Sequence, residues 1–172
     1  SFASHRLDNQ RLKQGGYFVY PGSPISITSR ETGPRSAALI NTGSAPEEIE
    51  LDTPYFHLLE LEFEPNQTNP IKKLKTELEK LTANAQPIVR LMGYFDSQKI
   101  ELSENQLKTQ LKTIKADHPN LVLDNQLSDI SHVLDSGLYQ TFVSKMNLHQ
   151  DKYQQPERLK QTLIQAMIKV NN

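Results

Sequence analysis

The chain has 172 residues, 36% of them hydrophobic and 23% charged, enough for a modest core in one or two small domains. Nineteen Lys plus Arg against twenty Asp plus Glu leave a formal charge of -1, so this is no polybasic tail, and any nucleic-acid face has to come from local clustering. The absence of cysteine excludes a disulfide scaffold, a Cys-ligated zinc or iron–sulfur site and a thiol nucleophile.

The first third reads as short strands separated by turns. Tyr17–Tyr20 follows the turn signal Gly15-Gly16, and Pro21-Gly22-Ser23-Pro24 bends the chain again. Ile25, Ile27 and the β-branched Thr28 predict a second strand. A polar turn over Arg30–Pro34 leads to Ser36–Asn41, and Thr42–Pro46 turns into Glu48–Leu51. Few large apolar side chains accompany these strands, so the segment is expected to need something further to pack against.

The middle changes character. His57–Glu64 alternates, with Leu59, Leu61 and Phe63 on one face and Glu60, Glu62 and Glu64 on the other, the pattern of a half-buried strand. Asn69-Pro70 is an N-cap with proline at the first helical position, and Ile71, Leu74, Leu78 and Leu81 recur at helical spacing. Ile88–Phe95 predicts a buried strand. Ser103 and Gln106 form a capping box that opens a helix carried by Leu107, Leu111 and Ile114. Leu121–Leu123 is a short third strand. The order β-α-β-α-β over Leu58–Asp124 predicts a compact α+β or split-βαβ unit.

The last third is helical. Leu127, Ile130, Val133 and Leu134 mark one helix, interrupted near Asp135-Ser136-Gly137, and Leu138–Met146 marks the next. After a polar linker over Asn147–Gln155, Pro156 opens a final helix with Leu159, Leu163, Ile164, Met167, Ile168 and Val170. These helices either fold back on the domain or dock on a partner. No apolar run approaches the ~18 residues of a membrane span, and Ser1–Gln14 is too polar for a secretory signal, so a soluble, cytoplasmic chain with no membrane partner is expected.

Motifs of chemistry are sparse. Neither Gly-rich phosphate loop occurs, nor a G-x-S-x-G elbow, nor an H-E-x-x-H zinc helix. The five histidines, His5, His57, His118, His132 and His149, are too scattered for a local metal motif. Basic residues cluster better. Lys108, Lys112 and Lys115 fall at i, i+4, i+7, one stripe of a helix, and Lys72, Lys73 and Lys75 sit on the helix before it. Arg30 and Arg35 flank a turn from which side chains can reach a ligand. Glu77, Glu79 and Glu104 are interleaved with the lysines, so charge alone leaves a DNA-contacting surface and an ordinary solvated face both open.

One string is more specific. Tyr20-Pro21-Gly22-Ser23-Pro24, with Ile25-Ser26-Ile27-Thr28 and Arg30-Glu31-Thr32-Gly33 after it, resembles the end of a calcineurin-like metallophosphoesterase core. The similarity is to the nuclease subunit of SbcCD-type DNA double-strand-break repair exonucleases in particular. In that family a Gly-His-x-His motif carries the last metal ligands shortly before a Tyr-Pro-Gly-Ser turn, and strands then lead into a capping domain. The resemblance implies terminal strands of the core over 1–56, an α+β capping domain over 57–125 and a C-terminal helical region over 126–172.

It further implies a role in positioning double-stranded DNA ends, for which the basic clusters offer Arg30, Arg35, Lys72, Lys73, Lys75, Lys108, Lys112 and Lys115 as candidate contacts. The last helix would dock on an SMC-like ATPase subunit through Leu159, Leu163, Met167 and Val170, and the full-length chain would be able to form a homodimer. Two Mn2+ are implied for the full-length family enzyme, a phosphodiester hydrolase, and no cofactor for this chain alone. His5 is the sole candidate metal ligand, because Phe2-Ala3-Ser4-His5-Arg6-Leu7 carries half of the last motif. The upstream Asp-x-His, Gly-Asp and Gly-Asn-His/Asp blocks are absent. Two-metal hydrolysis needs two ions ~3.5–4 Å apart, which one imidazole cannot hold. The expectation is therefore the C-terminal part of a longer nuclease, not catalytic alone. The alternative is a stand-alone, non-enzymatic α+β adaptor that acts through its C-terminal helices.

Overall fold

A computed structural model describes residues 7–65, 69–148 and 155–171. Helices and small sheets alternate in an α+β fold: β1 (Asp8–Arg11), β2 (Tyr17–Tyr20), β3 (Arg35–Leu39), β4 (Glu47–Leu51), β5 (Tyr55–Phe63), α1 (Pro70–Glu79), β6 (Ala85–Phe95), α2 (Glu104–Asp117), β7 (Val122–Asp129), α3 (Ser131–Leu134), α4 (Gly137–Leu148) and α5 (Pro156–Asn171). None of the described helices is long and apolar enough to cross a membrane.

β1 and β2 pair antiparallel, from Asp8 opposite Tyr20 to Arg11 opposite Tyr17. Gly15 and Gly16 close the ribbon at φ 91 and 83, a conformation in which a side chain is strained. β1 has too little apolar character to stand out in the sequence, and it forms as the partner of Tyr17–Tyr20. β3 and β4 make a second antiparallel ribbon, from Arg35 opposite Leu51 to Leu39 opposite Glu47. Pairing in this register puts Ala37, Leu39, Ile49 and Leu51 on one face and Ser36, Glu48 and Glu50 on the other.

The strand expected over Ile25–Thr28 does not form. Glu31 takes over the backbone there: its carboxylate accepts the Ile27 N–H (3.1 Å) and the Thr28 hydroxyl (3.4 Å). Its carbonyl accepts the Ser26 hydroxyl (2.8 Å) and the Arg35 guanidinium. A side chain that satisfies local backbone donors removes the incentive to pair with another strand. Ile27 is accordingly 77% exposed.

β5, β6 and β7 form a three-stranded sheet in that order. Partners on β5 and β6 advance together: the Tyr55 N–H meets the carbonyl of Asn84, Glu60 pairs with Arg90, and Phe63 lies against Gly93. Numbers rising together mean that the two strands run in the same direction, which requires a crossover such as α1 between them. Leu61 and Phe63 are buried while Glu60, Glu62 and Glu64 are exposed, as the alternation predicts. Both local helix starts form. Asn69 Oδ1 accepts the Ile71 N–H (2.9 Å), ahead of the buried Ile71, Leu74 and Leu78. Ser103 N–H donates to Gln106 Oε1 (2.9 Å) and Gln106 N–H to Ser103 Oγ (3.3 Å), the reciprocal capping box.

β7 runs longer than the expected Leu121–Leu123, and it takes Leu127 out of the following helix. Leu127, Ile130 and Leu134 fit helical spacing, but Asp129 sets the boundary by accepting the Ser131 N–H (3.0 Å) at the start of α3. Ser136 then caps α4, its hydroxyl accepting the Tyr139 N–H (3.2 Å). Contacts divide the chain into two compact units, each assembled from separate stretches. One takes Ser1–Leu61, Lys75–Arg90 and Lys115–Asp124, and it holds both ribbons. The other takes Glu62–Leu74, Leu91–Ile114 and Asn125–Asn172. Within the second, Ile130, Val133 and Ile164 form a core cluster that Tyr94, Leu134, Tyr139, Met167 and Ile168 surround.

Candidate functional site

The basic residues divide by environment. On α2, Leu107, Leu111 and Ile114 are buried, which turns Lys108, Lys112 and Lys115 outward on one exposed stripe. Lys108 pairs with Glu104 (2.6 Å), whereas Lys112 and Lys115 have no ion-pair partner among the described residues. On α1, Lys72 and Lys75 are exposed. Lys73 is not a free cation: its Nζ lies 4.8 Å over the Phe63 ring and donates to the Glu62 carbonyl (3.3 Å). Arg30 is exposed. Arg35 is 1% exposed at the start of β3, with its guanidinium on the Glu31 carbonyl, so its side chain is turned into the fold and not toward a ligand as the turn suggested.

α5 is packed on one side and open on the other. Ile164 is 4% exposed in the core cluster, and Met167 and Ile168 pack against it. Leu159, Leu163 and Val170 point elsewhere, with Val170 84% exposed. α5 runs antiparallel to α4, because Leu138 lines a groove with Met167 and Val170 whereas Val143 lines a cleft with Lys160. The groove has a volume of about 290 Å³, and its walls are Leu138, Leu163, Ala166, Met167 and Val170. Three of the four expected docking residues therefore converge there. Leu138, 63% exposed, and Ala166 escaped sequence reasoning, because their place beside the stripe depends on the α4–α5 packing.

A cleft of about 220 Å³ opens nearby, with Leu134, Val143 and Ile164 among its apolar walls and Glu64, Tyr139 and Lys160 among its polar ones. Its polar groups mostly bond to one another: Lys160 to Glu157 (2.8 Å), Gln161 to Glu64 (3.1 Å), and Gln140 to the Leu134 carbonyl (2.7 Å). Burial raises the Tyr139 phenol above its ordinary pKa, with Lys160 pulling the other way. Elsewhere, burial opposes ionisation of Asp129, but hydrogen bonds from the side chains and N–H groups of Ser97 and Ser131 outweigh it and hold the carboxyl below its ordinary value. That knot fastens the residues after β6 to the start of α3.

His5 lies outside the described residues. Among those described, no three His, Cys, Asp or Glu side chains converge so as to hold a metal ion, so the two-Mn2+ centre of the resemblance finds no fit there. What the arrangement offers is two surfaces, a lysine stripe and an apolar groove. No family model matches the chain, and no curated protein sequence matches it.

Proposed function

We propose that the chain is the capping and docking region of an SbcD-like, metal-dependent DNA-repair exonuclease, non-catalytic alone, which helps to position DNA ends and docks on an SMC-like ATPase. The observation that carries this reading is the division of α5: one side is held in the core through Ile164, while Leu163 and Val170 leave an apolar groove open. A helix anchored on one side with an open apolar groove on the other is suited to a helical partner. The exposed stripe Lys108, Lys112 and Lys115 supports the DNA role, since lysines at this spacing can follow a phosphate backbone.

Two experiments test it. The chain is titrated with a labelled DNA duplex by fluorescence anisotropy. Reversal to glutamate at Lys108, Lys112 and Lys115 is expected to weaken binding at least roughly tenfold and to flatten its salt dependence. Co-elution with the ATPase is expected to be lost in Leu163→Glu. The adaptor reading draws on a different observation: Arg35 is buried and Lys73 and Lys108 are already engaged, which thins the cationic surface. Absence of DNA binding at low salt, with docking intact, selects the adaptor.

A further inference from the structure

We infer that the α4–α5 groove receives an amphipathic helix with acidic flanks, supplied by another polypeptide; this rests on the docking reading above and specifies the partner's chemistry. Leu159, Leu163, Ala166 and Val170 succeed one another at intervals of four, three and four residues, the d-a-d-a seam of a helix that meets another helix. Ala166, small and near the centre of the seam, permits close approach of a second backbone.

The two helices that form the groove are cationic. Lys169 precedes Val170 and follows Ala166 by three, which sets it on the side of α5 away from α4. Lys145 lies two turns beyond Leu138 on the same stripe of α4. α4 and α5 together carry Lys145, Arg158, Lys160 and Lys169 against Glu157 alone, and Glu157 is already paired with Lys160 (2.8 Å). Lys145, Arg158 and Lys169 therefore have no carboxylate partner among the described residues, in a chain whose formal charge is -1. Carboxylates at the flanking positions of an incoming helix would meet them. A second copy of this chain would bring the same lysines to the same two helices. A lipid surface suits a convex apolar face, whereas these five residues line a concavity between two helices.

The test uses the full chain and two labelled peptides with leucine at the a and d positions, one with glutamate at e and g and one with lysine there. Fluorescence anisotropy is expected to show the glutamate peptide binding about tenfold tighter at low salt, with the margin shrinking as salt is added. Leu163→Glu and, separately, Val170→Glu are expected to abolish binding with the circular dichroism spectrum unchanged. Reversal of both Lys145 and Lys169 to glutamate is expected to invert the preference. Equal affinity of the two peptides, or binding that survives both groove variants, overturns the inference.

Self-association lost in Leu163→Glu, with neither peptide bound, assigns the groove to a second copy. Capture by phosphatidylserine vesicles, with neither peptide bound, assigns it to lipid. Either result also overturns the inference. If the peptides are not discriminated but Leu163→Glu still abolishes co-elution with the ATPase, the charge inference falls and the docking reading stands. If the glutamate peptide binds as expected and the ATPase does not co-elute, the ATPase is removed and the acidic helix is kept.

Discussion

Gly93 occupies β6 at φ 99, and a Cβ there would overlap the Phe63 carbonyl of the neighbouring strand. Alanine at this position meets both an unfavourable backbone region and a wall made of main chain, which cannot swing aside. Gly93→Ala is expected to cost roughly 2–4 kcal/mol in equilibrium denaturation. A loss under about 0.5 kcal/mol, the range of an ordinary surface change, would mean that the two strands can separate there. Asp129 makes a pH-dependent contribution instead. Its carboxyl is held below the ordinary value of 3.8, so the folded state favours the ionised form. The stabilisation is fully present above the unfolded pKa and disappears as pH falls through the lowered folded one. Asp129→Ala is expected to lose about 1–2 kcal/mol near pH 7 through the lost hydrogen bonds from Ser97 and Ser131. The gap in melting temperature between variant and parent should narrow only below about pH 4; a gap that is constant down to acid pH would contradict the assignment.

At the scale of elements, α5 offers a sharp contrast between adjacent positions. Ile164→Ala removes a side chain from the core cluster and is expected to destabilise by roughly 2–4 kcal/mol. Leu163→Ala, one residue away on the groove, is expected to cost under about 1 kcal/mol while weakening partner binding. Denaturant titration of the two variants side by side decides whether the helix is divided as described.

α5 with its apolar residues and the caps at Asn69 and Ser103–Gln106 are legible in the sequence, because their signals lie within a short stretch of chain. Leu127 fits a helix in the sequence because a strand residue can also satisfy helical spacing, and only the hydrogen bond from Ser131 to Asp129 settles the boundary. β1 and the loop organised by Glu31 are not legible there for the opposite reason: their stability comes from a pairing partner or one side chain, not from a periodic pattern. The lysine stripe was legible in its spacing, but the engagement of Lys73 by Phe63 and Glu62 was not, since it joins a helix to a strand.

Over the whole molecule, apolar burial is uneven. Leu74, Val89, Leu91 and Ile130 are fully buried, whereas Phe18, Ile25, Ile27 and Ile40 are exposed. β6 has a strand on each side, while each strand of the two ribbons has a single partner in its sheet. Isolated two-stranded ribbons are marginal in water, and local opening follows local contact. Amide exchange is therefore expected to be rapid across Tyr17–Tyr20 and Glu47–Leu51 and at least roughly a hundredfold slower across Leu91–Phe95; uniform protection would contradict this division.

The ribbons bear also on how the protein keeps. A strand with one side unclaimed is a template on which another molecule's strand can assemble, and each addition presents the same template again. Phe18 beside Val19, and Ile49 between its glutamates, are the expected points of growth, the first apolar and the second restrained by the charge around it. Shelf life in concentrated solution is thus expected to depend on β1 and β2, and to shorten without a change in melting temperature.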